Sequence, residues 1–428
     1  MRSLFIILIV LLCSCFLAQE TPGLKQNQSI LLLGGTAHLG NGEVIKRSAI
    51  GMVDGQINLV ENALIRTIDT TLYDSIIHIK DKHVYPGFIT LNSTLGLMEI
   101  EAVRASRDVY EVGEFNPNIR SIIAYNTDSK ITSTIRTNGI LLGQICPKGG
   151  TISGSSSVVH FDAWNWEDAL IKSDEGVHLN WPRYYSNFKK PDNKKESNYQ
   201  QRKKEIYAFF DRSLAYSNAT TDITNIRLKA MTGLFNGSKQ LYVHANDIKE
   251  IADIIEFKKT FKLNKLCIVG AYDSWMIAKR IKENNISVIL PRVHSLPRNN
   301  HDDISLPYKL PYLLAKEGVL FGIQNSGDMQ EMITRNLPFM VGTAIAYGLS
   351  YEQGVASVTL NAAKILGVDK ILGSIEEGKH ATLFVSSGDV FDIKTNHIEH
   401  AFINGRFMSL ENDQIRNYEK FKKKFGLD

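Results

Sequence analysis

Apolar and polar positions divide the chain into three stretches. Over residues 29–80 the apolar runs are short: 29–33, closed by Gly34-Gly35, then 49–53, 56–60 and 76–79. This spacing predicts strands joined by tight turns, with Asp54-Gly55 as the turn of a two-residue hairpin. From about Pro86 the pattern lengthens. A strand at 241–244 leads to a helix that Asp247 caps, with Glu250 three positions on, and Ile248, Ile251, Ile254, Ile255 and Phe257 fall at helical spacing. A buried strand follows at 266–269, then a helix over 273–283 with Trp275, Ala278 and Ile281 on one face, then a strand at 286–290. Alternation at this pace predicts parallel βαβ units with right-handed crossovers. It continues with a helix at 308–316, a strand at 319–323 and a helix over 351–366, which Ser350 and Gln353 open and Gly367 closes. Short strands then return at 381–385 and at 401–403, the latter ending in Asn404-Gly405. The two outer β segments can pair into one small sandwich that brackets a barrel.

The N-terminus carries a different signal. Arg2 precedes an uninterrupted apolar run at 4–12, and Ala18-Gln19 offers a cleavage point, the layout of a signal peptide over 1–18. That run is too short for a stable bilayer-spanning helix. Leu12-Cys13-Ser14-Cys15 loosely matches a lipoprotein site, so lipid anchoring at Cys15 is the alternative to simple cleavage. Either predicts an exported protein, periplasmic or secreted, with no integral span after processing. Only Cys146 and Cys267 would remain, too few and too far apart for a disulfide framework, and Cys267 reads as a small buried hydrophobe. The net charge of +4 over 428 residues, with 22% charged residues, argues neither for nor against nucleic acid, since binding needs a concentrated basic face rather than a slight excess; no nucleic-acid partner is expected. The basic stretches at 189–204 and 420–424 read as solvated surface.

Val84-Tyr85-Pro86-Gly87-Phe88-Ile89 resembles the first-strand entry of the amidohydrolase superfamily. The stretches 318–321, 335–338 and 344–349 resemble its last barrel strand and the elements that follow. Residues 359–367 (TLNAAKILG) and 373–382 (GSIEEGKHAT) are similar to two further motifs, with Thr382 where relatives have Asp, and Asn404-Gly405-Arg406 ends the chain's sandwich as in relatives. The nearest branch is that of exported, imidazolonepropionase-like amidohydrolases. The resemblance implies an α/β fold: a (β/α)8 TIM-like barrel bracketed by a small β-sandwich built from both chain ends. The implied divisions are 19–85 for the first part of the sandwich, 86–368 for the barrel and 369–428 for the second part and tail. It also implies zinc- or other divalent-metal-dependent hydrolysis of carbon–nitrogen bonds other than peptide bonds. The ligands would come from the carboxyl ends of the strands: two His from strand 1, Lys or Glu from strand 4, His from strands 5 and 6, and Asp from strand 8.

Laid on this sequence, those positions are mostly degenerate. Asn92 and Thr94 stand for the strand 1 pair, with Ser93 between; both are weak neutral oxygen donors. His244 is the retained strand 5 ligand candidate, followed by Asn246. Gly270 occupies the strand 6 position, with Trp275 as the aromatic that follows. Asn325 or Ser326 occupies the strand 8 position, with Asp328 a late candidate for the catalytic acid. Lys229, on a helical pattern, is the nearest strand 4 lysine. His294 is a second candidate ligand, and His244, His294 and Asp302 or Asp303 form the one unconventional metal site the sequence suggests. His160 lies beside Asp162 on a strand expected from Val158-Val159-His160; His83, His380, His397 and His400 flank the sandwich and are expected at the surface; and the small-residue run 149–157 reads as a turn at the barrel mouth that could hold an anion. Two readings follow from the count of ligands. One is an atypical or non-catalytic barrel, without cofactor, that binds a small molecule or joins an oligomer, homomeric or with a ligand-complete paralogue. The other is an active hydrolase holding zinc or another divalent metal in an unconventional site.

Overall fold

The computed structural model describes residues 22–184, 193–219 and 223–427. The expected signal segment 1–18, with Cys15, lies outside these residues, as does the start of the basic insert; the insert's remainder opens the long helix Asn193–Asn218. Among the described residues no helix is long and apolar enough to cross a membrane.

The first stretch folds into β1 (Ile30–Leu33), β2 (Thr36–His38), β3 (Val44–Ile45), β4 (Ser48–Val53), β5 (Gln56–Asn62), β6 (Ser75–His78) and β7 (His83–Pro86). The hairpin expected at Asp54-Gly55 joins β4 to β5, with φ of 49° and 83° at the two turn residues, a geometry that Asp and Gly tolerate and branched residues do not. Strands β5-β4-β1-β6 form a four-stranded sheet. The other early strands pair with the end of the chain: β7 runs antiparallel to β16 (Leu383–Ser386), and the six-stranded order is β18-β17-β16-β7-β2-β3, where β17 is Ile398–Ile403 and β18 is Arg406–Phe407. Leu32, Ile50, Met52, Leu383 and Phe402 share the core between these two sheets.

One residue, Gly87, separates β7 from the barrel. The barrel consists of β8 (Phe88–Ser93), β9 (Ile140–Ile145), β10 (Ile152–His160), β11 (Leu170–Asn180), β12 (Gln240–Ala245), β13 (Leu266–Gly270), β14 (Ser287–Leu290) and β15 (Phe321–Ile323), hydrogen-bonded in sequence order. The sheet is nearly closed where β15 returns to β8. Strands β11 to β15 are parallel, as the alternation predicts. The run 149–157, expected as a turn, instead enters β10 at Ile152, and β10 runs antiparallel to both β9 and β11. All nine of its residues are buried. Ser156 Oγ donates to Glu175 and Ser155 Oγ to Asp174, while Ser157 Oγ accepts from Asp174 N, so small polar residues are satisfied here as buried sheet by β11.

Both expected capping boxes form, Asp247 with Glu250 and Ser350 with Gln353. The helix expected over 351–366 is two helices, Tyr351–Ser357 and Leu360–Leu366. The interruption frees the carbonyl of Val358 to accept from Ile89 N on β8 at 2.8 Å. The helix expected over 273–283 starts as a 3-10 turn after Ala271, which has a φ of 52°; Ala278 and Ile281 are buried, but Trp275 is exposed.

Candidate functional site at the barrel mouth

In the parallel part of the barrel, β11, β12 and β13 all deliver their carboxyl ends to one side, where Asn180, His244 and Gly270 lie. Because β10 runs the other way, Lys148, Gly149 and Gly150, just before it, reach the same side. His244 is partly buried on β12 and has a partner that the sequence reading missed. Nδ1 of His178, on β11, lies 3.0 Å from His244 Nε2, and the His178 ring stacks on Tyr242 at 4.8 Å. Burial pushes the His244 imidazole down to about 4, assisted by the nearby Lys148 ammonium. Burial, and then His244, also hold His178 well below the usual histidine range. The two are therefore neutral imidazoles at pH 7, sharing one hydrogen bond. The signal for His178 was present in Val177-His178-Leu179, where two apolar residues flank a polar one at strand period.

Strand 4 of the barrel thus carries no metal-bridging lysine; Lys229 sits exposed on the helix Ile226–Phe235, ahead of β12. Below the imidazole pair, Glu175 on β11 is buried and accepts from Gln144 Nε2 at 2.7 Å, from Tyr242 OH at 2.8 Å and from Ser156 Oγ. Burial nevertheless raises its carboxyl above the ordinary value.

The strand 1 and strand 8 positions are joined through carboxamides. Asn92 Nδ2 donates to Gln324 Oε1 at 2.8 Å, across the gap between β8 and β15. Asn92 N donates to Gln144 Oε1 at 2.9 Å, and Asn92 O accepts from Gln330 Nε2 at 2.9 Å. Asn325 Nδ2 donates to the Gln330 carbonyl at 2.8 Å, and Lys148 Nζ to Gln330 Oε1 at 3.1 Å. Thr94 Oγ1 donates to Glu331. Asn92 has a φ of 48°, a left-handed conformation that asparagine tolerates better than most residues. Gln144, Gln324 and Gln330 escaped the sequence reading because amide side chains follow no recognisable spacing, and the carboxylate Glu331 escaped it because it lies outside the motif positions.

Gly270 closes the strand 6 position. Its φ is +93°, and a Cβ there would meet Asn246 Oδ1 at 2.6 Å and the Ala245 carbonyl at 3.0 Å. The backbone has no room for a side chain in this conformation. Ser326 is partly buried, whereas Asp328 is exposed and offers only its carbonyl, to Arg292 at 3.0 Å.

The unconventional site is not assembled. His294 is exposed, its Nε2 2.7 Å from Thr343 Oγ1, in a cavity lined by Phe339, Tyr351 and Asp389 rather than beside His244. Asp302 accepts from Tyr272 OH and Asn299 N, and Asp303 pairs with Lys309. His160 ends β10 at the face opposite the mouth, with Asp168, His380 and Arg406 around the same cavity. Of the histidines expected at the surface, His397 is exposed, whereas His83, His380 and His400 are partly buried, His83 against His38 with its Nδ1 3.2 Å from His38 Nε2. Among the described residues no three His, Cys, Asp or Glu side chains converge in a way that could hold a metal ion.

A catalytic zinc takes about three protein ligands of imidazole, thiolate or carboxylate type. The mouth supplies two imidazoles bonded to each other, neutral carboxamides bonded to each other, a glycine that excludes a side chain, a lysine ammonium, and two carboxylates already engaged, Glu331 by Thr94 and Glu175 by Ser156, Gln144 and Tyr242. Carboxamide oxygens are weak donors to zinc, and a fixed ammonium beside His244 repels a cation. The residues present do not fit the metal. What remains is a cavity of about 500 Å³ over the imidazole pair, walled by His244, Asn180, Arg183, Arg298 and the Gly149-Gly150 backbone. Its one carboxylate, Glu250, is engaged by the backbone N–H groups of Tyr184, Asn246 and Asp247.

Architecture and site position together define an amidohydrolase-type barrel. Residues 230–408 match the model of the Amidohydrolase family, and amidohydrolases are among the solved structures that share this fold. An amidohydrolase from Thermotoga maritima MSB8 superposes with a TM-score of 0.75 at 22% identity, covering 88% of this chain and 99% of that one. An adenosine deaminase from Xanthomonas campestris with bound zinc gives 0.52 at 12% identity, with 93% and 99% covered. The ochratoxinase of A. niger gives 0.54 at 13% identity, with 89% and 95% covered. At these identities the neighbours establish the fold alone. A search of curated proteins by sequence gives no match.

Proposed function

We propose that this chain is an exported amidohydrolase barrel that does not run metal-dependent hydrolysis and instead binds a small anionic molecule at its mouth. The observation that carries the reading is the carboxamide network of Asn92, Gln144, Gln324 and Gln330, which ties together the strand ends where hydrolytic ligands would stand. The anionic class is supported by Arg183 and Arg298, which line a cavity whose single carboxylate is already satisfied, with the Lys148 ammonium close behind His244.

Elemental analysis of purified protein incubated with zinc and then desalted is the test. The expected content is well under one equivalent. One equivalent of tightly held zinc that His244→Ala removes would overturn the reading and restore an active hydrolase. Ligand class is checked by thermal shift. Small dicarboxylates such as succinate are expected to raise Tm, matched neutral diamides to leave it unchanged, and Arg183→Ala to abolish the rise. A larger rise with diamides would reject the anionic assignment.

A further inference from the structure

The last helix, Asp413–Phe425, has no buried residue. Its apolar side chains recur at three- and four-residue spacing: Ile415, Tyr418, Phe421 and Phe425. Residues so spaced share one face of a helix, and all four are exposed, Tyr418 at 64% and Phe425 at 65%. Arg416, Lys420 and Lys423 cover the opposite face, Lys422 falls between Ile415 and Tyr418, and the Lys424 ammonium lies over the Phe421 and Phe425 rings at 5.9 and 5.3 Å. Five basic side chains thus stand against two acidic ones, Asp413 and Glu419. The helix is tied to the fold through its first turn: Lys130 Nζ pairs with Asp413 at 2.7 Å and Thr134 Oγ1 bonds Gln414 at 3.1 Å. A residue stretch expected to be merely solvated therefore presents a continuous aromatic stripe on a basic helix.

The place of this helix is also informative. Lys130 opens the short helix Lys130–Arg136; Arg136 Nη1 at its end donates to Asp162 Oδ1 at 2.9 Å. The other carboxylate oxygen of Asp162 accepts from Gly23 N at 2.9 Å. Gly23 also lies against the Phe407 carbonyl, a few residues before the helix begins. The point where the chain emerges from residues 1–21, with their apolar run at 4–12, thus adjoins the base of the basic helix.

We propose that Asp413–Phe425 is a membrane-surface helix that lays Tyr418, Phe421 and Phe425 into the interface of an anionic bilayer, with its lysines against lipid phosphates. Aromatic rings on one side and lysines on the other suit an interface that is apolar below and negative above. Lysines at the flank can extend to the headgroups along their aliphatic stems. A second copy of the helix suits the same stripe less well, since pairing would bring two net-positive helices together. The proposal is independent of what the barrel mouth binds.

Vesicle co-sedimentation of the chain starting at Pro22, so that the N-terminal apolar run cannot contribute, tests it. Binding to vesicles of phosphatidylcholine with phosphatidylglycerol is expected, with much less binding to phosphatidylcholine alone. Phe421→Ser with Phe425→Ser should weaken it by about tenfold or more, and replacement of Lys422, Lys423 and Lys424 by Gln should remove the preference for the anionic lipid. Because none of these side chains is buried, circular dichroism and Tm should match wild type, which separates lost binding from lost folding. No sedimentation with anionic vesicles, or equal sedimentation of the double phenylalanine variant, would overturn the proposal. So would a dimer that the same variant dissolves in the absence of vesicles.

Discussion

At the scale of single residues, the buried histidines define how this protein responds to acid. Burial pushes His244 down to about 4, and burial does the same to His160. A histidine whose folded value lies below its unfolded value of about 6.5 is neutral in the native state but takes up a proton readily once unfolded. Its contribution is therefore fully present above pH 6.5 and is lost as pH falls through the window from 6.5 to about 4. Each such histidine should cost about 1 kcal/mol per pH unit within that window. Thermal melts from pH 7.5 to 4.5 should show Tm falling below 6.5, and His160→Gln should flatten the slope. An unchanged slope in that variant would show that His160 stays uncharged in both states or is solvated in the fold. The residue scale is also where the sequence was least legible. His244 and the degenerate positions Asn92, Thr94 and Gly270 could be found because motifs frame them. His178 could not be found that way, since no motif covers β11, and its pairing with His244 depends on two strands 66 positions apart coming into register. For Gly270 the sequence showed a missing ligand, whereas the structure shows that the backbone conformation and Asn246 exclude one.

At the scale of elements, periodicity and capping carried most of the information. Helix starts at Asp247 and Ser350 were legible because caps are local chemistry, as was the Asp54-Gly55 turn. The end of the antiparallel β10 was legible in Val158-Val159-His160, but its first half was not, because its serines and glycine lack both alternation and branched residues; only the neighbouring strands make a strand of it. The split of 351–366 escaped for a similar reason, since the Val358 carbonyl is claimed by a strand far away in sequence. The gap between β15 and β8 leads to a prediction about elements. It is bridged by the bond between Asn92 and Gln324, both buried. Gln324→Met keeps the volume but leaves the Asn92 amide unpaired, which should cost roughly 1–3 kcal/mol in urea denaturation. Asn92→Gly, chosen because position 92 has a φ of 48°, removes the orphaned donor. In the double variant the two losses should then sum to more than the combined loss. Strict additivity would mean that the bond does not join the two strands.

At the scale of the whole molecule, the sandwich and the barrel are held as one body by an aromatic cluster where they meet. Tyr85 on β7 and Phe384 on β16 belong to the six-stranded sheet, while Phe88 opens the barrel one residue beyond Gly87. The Phe384 ring lies 5.5 Å from Tyr85 and 4.9 Å from Phe88, and Phe391 stacks on Phe88 at 5.8 Å. Polar bonds run alongside: Tyr85 OH to Tyr351 OH at 2.8 Å, and His38 Nδ1 to Glu352 at 2.7 Å, each joining a sandwich strand to a barrel helix. The sheet itself contains strands from both chain ends, so it cannot form until the intervening barrel segment has brought them together. These couplings predict that sandwich and barrel unfold together, although a chain of this size could unfold in steps. Far-ultraviolet and aromatic circular dichroism should give coincident midpoints in guanidinium chloride. Phe384→Ala removes the ring shared by both parts and should cost about 3–5 kcal/mol. Because the cavity it leaves faces both parts, it should lower both signals together. If the variant instead separates an early aromatic transition from a later secondary-structure one, the sandwich is a satellite of an independently stable barrel.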